Sequence, residues 1–508
     1  MQSENKRIAV NTIALYLRSL FTMTIGIFTS RVFLQTLGVE NVGIYNVVGG
    51  LVSMFSVIST TMSVACSRFL AIALGEGNMD ELKRHFSIAM SIHVIFALIV
   101  IGIAELIGAW YLNTYMNIAP ERLYAANWVF QLSLLTFGIN MISGPYNMVI
   151  NIHEHMKTFA YMSIFDVSMK LLILYILLII NYDRLITYAV LILCVSIINR
   201  MIYTIYCHHH FEETHNFKIN LRLSTMKEQF GFAGWNSLGI FSGFLRNYGT
   251  DLLLNFFFGV TVNAARGVAN QIQNAVYGFV TNFLSAINPQ IMKSFGAQDI
   301  TRCLYLVERG TKFSFYLLGI LSMPFIIMAN EILQVWLTVI PDYSAIFIQL
   351  SFIYLLFDCL SRLVIVAINA NGKIRNYQIL VSCTKLLVLP ITFMYIYFFE
   401  GSPISALIVN IFIEFVCLWL RLYFAKDILG IKVQSFVSTI ICRCWFVLSI
   451  AYIVPLVLYH LNYPAIWLKL LIISLSCFIW GSISVLFWGM NNRERKTIID
   501  FIKKKIKK

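Results

Sequence analysis

About fourteen stretches of this chain are apolar and long enough to cross a lipid bilayer as helices, and nine arginines and lysines fall inside them. The first fact leaves one class of structure open. Within hydrocarbon every backbone N–H and C=O must find its partner inside the protein, and segments of this length do so as α-helices. The second fact constrains the inside of the bundle. A cation at mid-membrane costs roughly 3 kcal/mol on insertion scales, so nine of them against lipid would cost on the order of 25 kcal/mol, more than a domain's usual net stability. The nine should instead line an internal, wet, positively charged space, and such a space suits an anionic cargo.

The expected spans are 11–35, 43–73, 86–111, 123–150, 158–180, 185–207, 229–258, 263–292, 312–338, 344–370, 376–399, 402–425, 437–460 and 465–489. Of the 38 Lys and Arg residues, 26 fall on one set of alternate loops and span ends, Arg200 and Arg421 among them. The opposite loops hold Arg122, Arg184 and Lys469. The positive-inside rule then places both termini in the cytoplasm of a multi-pass protein of the cytoplasmic membrane. The same rule accounts for most of the net charge of +14, so the charge is no argument for nucleic acid. The ten cysteines show no paired spacing and read as small core residues. The opening MQSENKRIAV is too short and polar for a cleavable signal peptide.

Part of the chain is written twice. LGVENVG (37–43) matches FGVTVNA (258–264), and ALGEGNMDEL (73–82) matches SFGAQDITRC (294–303), so Gly38 and Gly75 correspond to Gly259 and Gly296. INIHEHMK (150–157) matches VAINANGK (366–373), and KLLIL (170–174) matches KLLVL (385–389). A repeat of six spans keeps its orientation, which predicts two parallel lobes about an axis along the membrane normal, enclosing a cleft. The expected divisions are 1–225 for the N-lobe, 226–430 for the C-lobe, and 431–508 for two appended spans and a basic tail, RERKTIIDFIKKKIKK, lying on the anionic inner leaflet.

The nine cations are Arg18 and Arg31 on span 1, Arg68, Lys170, Arg246 on span 7, Arg266 at the start of span 8, Arg362, Lys385 and Arg443. Lys170 and Lys385 are repeat partners. Five acids share the spans: Glu105, Asp166, Asp251, Asp358 and Glu414. Asp166 and Asp358 stand four residues before Lys170 and Arg362, spacings that pair on one helix face. Arg246 and Asp251, five apart, pair less well. Five acids cannot neutralise nine cations, so Arg18, Arg31, Arg246, Arg266, Lys170 and Lys385 are candidates for contact with cargo. Arg68 and Arg443, near the cytoplasmic face, are expected to snorkel to lipid phosphate. Asn263, Asn270, Gln271, Gln273, Asn274 and Asn282 give span 8 an amide face, and Asn270 and Asn274 are candidates to bind sugar hydroxyls. The alternative for each is an interhelical hydrogen bond. Asp166 and Asp251 are the candidates for coupling to H+ or Na+. Pro145, Pro289, Pro324 and Pro390 mark kinks, as hinges or as packing irregularities. HHHFEETH (208–215) looks like a metal cluster but lies in the cytoplasmic connector between lobes, where metal binding is not expected, and HEH (153–155) lacks the HExxH spacing of zinc hydrolases. No Gly-rich nucleotide loop, serine elbow or soluble catalytic domain is visible, so neither an enzyme nor a direct user of ATP is expected, and no cofactor.

TSRVFLQTLGVENVGIYNVVGG (29–50), with Arg31, Gly38, Gly43 and Tyr45, resembles the polysaccharide-export, O-antigen flippase-like branch of the multidrug/oligosaccharidyl-lipid/polysaccharide (MOP, MATE-like) superfamily. FAGWN (232–236), VNAARG (262–267) and NPQIMKS (288–294) resemble bacterial members assigned to lipopolysaccharide biosynthesis. The resemblance implies an all-α polytopic membrane protein of two six-helix lobes. It implies alternating access that moves an undecaprenyl-pyrophosphate-linked oligosaccharide between leaflets, for lipopolysaccharide, capsule or exopolysaccharide. In such flippases a cationic cleft faces the pyrophosphate, which here points to Arg18, Arg31, Arg246 and Arg266. Membrane lipids and polysaccharide polymerase or assembly proteins are the partners it implies. The competing expectation is a cation-coupled multidrug exporter of the same superfamily, which needs buried carboxylates in its lobes; span 1 has none. A membrane glycosyltransferase would need a large polar loop with catalytic acids, and the 208–228 connector is too short.

Overall fold

The computed structural model describes residues 2–53, 55–114, 120–180, 182–215, 223–258, 260–337, 340–492 and 494–496; some side chains on 2–58, 111, 223–229 and 255–264 lie outside the description, that of Arg31 among them. Among the described residues there is no strand. In chain order the helices are α1 (Gln2–Ser53), α2 (Ser56–Glu76), α3 (Met79–Ile103), α4 (Ala109–Thr114), α5 (Pro120–Ile152), α6 (Met156–Ile176), α7 (Arg184–His210), α8 (Leu223–Phe258) and α9 (Val260–Gly296). They continue as α10 (Ile300–Ile327), α11 (Ala329–Trp336), α12 (Ser344–Cys359), α13 (Arg362–Asn371), α14 (Arg375–Leu386), α15 (Val388–Phe399), α16 (Ile404–Leu429), α17 (Val433–Phe436), α18 (Arg443–Tyr459) and α19 (Ile466–Ser484). The chain forms two compact units, Met1–Ile240 with Ser285–Asp299, and Phe241–Leu284 with Ile300–Lys508, so α8 and α9 each contribute to both.

Ten helical stretches of the described residues are long and apolar enough to cross a membrane, and they overlap ten of the expected spans. The other four expected spans fall on α1, α2, α8 and α9, the helices that carry Arg18, Arg31, Arg68, Arg246, Arg266 and the amide face. Four expected spans need correction. The span at 43–73 is the end of α1 followed by α2. The helix expected at 312–338 begins earlier, as Ile300–Ile327, and α11 follows as a separate short helix. The spans at 344–370 and 376–399 are each broken in two, at Leu360–Ser361 and at Leu387.

The turn chemistry repeats with the sequence. α2 ends at Gly77, whose φ of 72° is left-handed, and Asn78 then caps α3 by accepting from the Glu81 amide at 3.1 Å. The matching residue 221 positions on is Gln298, with φ 57°. Both turns carry the same pair of backbone hydrogen bonds: Gly77 N–H to Leu74 O and Asn78 N–H to Ala73 O, then Gln298 N–H to Phe295 O and Asp299 N–H to Ser294 O. The two copies also touch within the first unit. A Cβ on Gly75 would lie 2.3 Å from the Lys293 carbonyl oxygen, and one on Gly296 2.6 Å from that of Ile72. The ends of α2 and α9 therefore approach backbone to backbone at two glycines that the repeat makes equivalent.

Glu154 ties the same region together. It sits between α5 and α6 at φ 62°, 7% exposed. Its carboxylate accepts from Gln290 Nε2 at 3.0 Å and Lys293 Nζ at 2.9 Å, and its carbonyl accepts from Asn11 Nδ2 at 3.0 Å. The appended helices α18 and α19 pack on each other and on α10 in the second unit. Arg443 donates to the carbonyls of Trp488 and Met490 and to Asn491 Oδ1, closing the end of the α19 segment. Arg68 is buried at 9% exposure, stacked 4.8 Å from the Phe69 ring and 4.9 Å from the Phe232 ring. Of the basic tail, 497–508 lies outside the described residues.

Candidate functional site

The second unit contains a cavity of about 460 Å³ between α8, α9, α12, α13 and α16. Its charged lining is Arg246, Arg266 and Arg362 against Asp251 alone. Helical spacing explains the gathering. Arg266, Asn270, Gln273, Asn274 and Tyr277 fall at i, i+4, i+7, i+8 and i+11 on α9, one stripe of a helix. On α8, Arg246, Asn247, Tyr248 and Asp251 contribute from two adjacent turns.

Arg246 is 6% exposed. Its Nη1 donates to the Tyr354 hydroxyl at 2.6 Å and reaches Glu414 Oε2 at 3.5 Å, its guanidinium lies 4.8 Å from the Tyr354 ring, and Nη2 donates to Asn247 Oδ1 at 3.3 Å. Its Nε has no hydrogen-bond partner among the described residues. Arg266 donates from Nη1 to Ser351 Oγ at 3.1 Å and stands 3.4 Å, Nε to Oδ1, from Asp251. Neither of those two atoms makes a hydrogen bond, and the Tyr277 hydroxyl has none either.

Behind the lining sits a tighter charge network. Arg421, fully buried, donates to Glu414 Oε1 at 2.5 Å and Ser361 Oγ at 2.6 Å, and lies 3.9 Å from Asp358 Oδ1. Arg362 pairs with the other oxygen of Asp358 at 2.5 Å. The break between α12 and α13 makes room for this: Ser361, outside both helices, turns its hydroxyl to Arg421. Across lining and network, four arginines face three acids, a net of +1, and Lys385 lies within electrostatic reach of Arg421 and Glu414.

Five of the expected residues thus come together: Arg246, Arg266, Asn270, Asn274 and Asp251. Lys385 does not line the cavity. Arg18, Lys170 and Asp166 lie in the first unit. There Arg18 stacks 5.0 Å from the Phe159 ring, and Asp166 accepts from Lys170 Nζ and Asn199 Nδ2, each at 2.7 Å. The helix-face pairs Asp166–Lys170 and Asp358–Arg362 form as the spacing predicts. Arg246 and Asp251 do not pair with each other: Arg246 turns to Glu414, and Asp251 to Arg266. Glu105 takes no cation but accepts from Gln131 Nε2 at 2.7 Å.

Arg421 was counted with the cytoplasmic span ends, and that is corrected by its burial. The signal was present, since Glu414 and Arg421 are seven residues apart, two turns on one face of an apolar helix. Tyr277, Tyr354, Ser351 and Asn410, which complete the cavity, carried no such signal. Among the described residues no group of three or more His, Cys, Asp and Glu side chains is placed to hold a metal ion.

No family model matches the chain, and no curated protein matches it. Solved structures do. A mutant of the Vibrio cholerae MATE transporter VcmN superposes with a TM-score of 0.67 at 17% identity, over 85% of this chain and 98% of that one. The fold is that of the MATE transporters. The MATE transporter ClbM, solved with Rb+, matches at a TM-score of 0.67 and 15% identity over 84% of this chain and 96% of that one. A MOP superfamily transporter from Pyrococcus furiosus matches at 0.66 and 11% identity, over 84% and 96%. The MATE fold makes this an all-α polytopic membrane architecture, in line with its sequence.

Proposed function

We propose that the protein is a transporter that moves an anionic, polyprenyl-pyrophosphate-linked oligosaccharide across the cytoplasmic membrane by alternating access, for surface-polysaccharide assembly. The observation that carries this reading is the cavity lining, three arginines to one aspartate with five amide side chains among them. Guanidiniums present paired N–H donors that match phosphate oxygens, and amides offer both donors and acceptors to sugar hydroxyls. Arg18, Arg31, Lys170 and Lys385 belong to the reading as secondary cationic contacts. The polysaccharide polymerase or assembly machinery would be its downstream partner. Among proteins of this fold, the Pyrococcus furiosus transporter is one for which a binding pocket of reverse polarity is held to suggest a different function. That precedent supports taking pocket charge, rather than fold, as the guide to cargo.

One feature favours a second reading, a cation-coupled multidrug exporter: proteins of the same fold include a multidrug resistance MATE transporter. Such a protein needs carboxylates free to hold a cation. Here Asp166, Asp358 and Glu414 are all paired with Lys or Arg, and Asp251 faces Arg266, so coupling to H+ or Na+ through any of these four requires a pair to open; Glu105, which accepts from Gln131 Nε2, is the acid that favours the exporter. Deleting the gene and analysing extracted polyprenyl-pyrophosphate glycans by mass spectrometry separates the readings. The flippase reading expects a complete repeat unit to accumulate on lipid while the matching surface polymer disappears. An unchanged lipid-linked pool with new sensitivity to cationic drugs would select the exporter.

A further inference from the structure

Two kinds of ion pair surround the cavity. Glu414 and Asp358, the carboxylates behind its wall, are 0% and 3% exposed and each makes a short hydrogen-bonded pair of 2.5 Å, with Arg421 and Arg362, beside a longer contact, to Arg246 at 3.5 Å and Arg421 at 3.9 Å. The pair with its carboxylate on the wall is loose. Asp251 and Arg266 stand 3.4 Å apart with neither facing atom hydrogen-bonded, and the Asp251 side chain is 35% exposed. Arg246, nine-tenths buried and also on the wall, keeps its Nε without a partner. A carboxylate that only half-engages a guanidinium, beside a second guanidinium with an unused donor, is arranged to be exchanged for a better anion.

We propose that Asp251 is an internal counterion that holds Arg266 between transport events and is displaced by the phosphate group of the cargo. This rests on the anionic-cargo reading of the cavity and deepens it by assigning the residue that sets affinity and release. A carboxylate carries one charge and two acceptor oxygens. A pyrophosphate carries more of both, so it wins the guanidinium when present. Once displaced, the Asp251 carboxylate stays at the cavity edge as a like charge beside the bound phosphate, which shortens the residence of the cargo. Asp251 is therefore a positioning residue for binding and release. Its loss strengthens binding and slows turnover.

The test uses the full-length protein in detergent or vesicles with inorganic pyrophosphate as the probe. Wild type, Asp251→Asn, Arg266→Gln and the double variant are compared by equilibrium binding and by dissociation rate, with Asp251→Ser as a second variant should Asp251→Asn not yield folded protein. Asp251→Asn is expected to bind pyrophosphate about tenfold tighter and release it more slowly. In the Arg266→Gln background the same change is expected to do little, because the carboxylate then has no guanidinium to vacate. In cells Asp251→Asn should lower surface-polymer output despite the tighter binding. An equal or weaker affinity in Asp251→Asn, or the same gain with and without Arg266, overturns the counterion. Absence of pyrophosphate binding in both wild type and Asp251→Asn overturns the anionic-cargo reading on which it rests.

Discussion

Replacing Glu414 by Gln and Arg421 by Met perturbs the same buried contact from its two ends, and the network predicts unequal results. The ion-paired set around Glu414 and Asp358 is Arg246, Arg362 and Arg421 against those two acids, a net of +1. Removing Arg421 leaves two arginines and two acids, neutral, with Glu414 still 3.5 Å from Arg246 and Asp358 still on Arg362. Removing the charge of Glu414 leaves +2, with two guanidiniums deprived of the carboxylate they share. Taking one partner from a buried pair costs about 3–5 kcal/mol, most of it from the charge left behind. Arg421→Met should fall at the low end of that range, since nothing is stranded. Glu414→Gln should reach or pass its upper end. The double variant, at +1, should be more stable than Glu414→Gln alone, a non-additivity characteristic of groups in contact. Thermal midpoints of the purified protein in detergent, followed by loss of the monodisperse peak, give the order directly. If Arg421→Met melts at or below Glu414→Gln, or the two effects simply add, net buried charge is the wrong account of this network.

Arg246→Ala and Arg18→Ala should each abolish transport at normal membrane levels, while Lys at either position keeps part of it, read as surface polymer in a complemented deletion strain. Gly75→Ala and Gly296→Ala should each destabilise the protein by about 1–3 kcal/mol, because the added Cβ meets backbone that cannot rotate away; a melting series with Gly26→Ala, where nothing lies within 4 Å, is the control. Glu154→Ala removes the carboxylate that Gln290 and Lys293 share and should lower the midpoint more than Lys293→Ala, which leaves Glu154 its Gln290 contact. Burial alone would raise the Glu331 carboxyl, but the Lys469 hydrogen bond and its neighbours outweigh it and hold the group below the ordinary carboxylate range. Its contribution is therefore present above the usual carboxylate pKa and is lost as pH falls through the depressed value. A Lys469→Met variant should show less loss of stability on acidification over that window than the wild type.

What could be read without coordinates was set by solvent and by local geometry. Lipid forbids unpaired backbone, so apolar length alone determined helices, and ten of the expected spans overlap helical stretches long enough to cross a membrane. The match of ALGEGNMDEL to SFGAQDITRC marks a left-handed turn that both copies make, at Gly77 and at Gln298, closed by the same two backbone hydrogen bonds. The i, i+4 pairs at Asp166–Lys170 and Asp358–Arg362 follow from one helix's own period. The pairing of Arg246 with Glu414 and of Arg266 with Asp251 does not. It depends on which helices pack together and at what height, and the partners are 168 and 15 residues apart. The break at Leu387 follows from Pro390, a marked kink, whereas the break at Leu360–Ser361 carries no glycine or proline and was invisible; there a buried guanidinium, Arg421, claims the Ser361 hydroxyl. Composition determined that the bundle must hide cations. Only the packing of α8, α9, α12, α13 and α16 decided which of them neutralise acids behind the wall and which face the cavity.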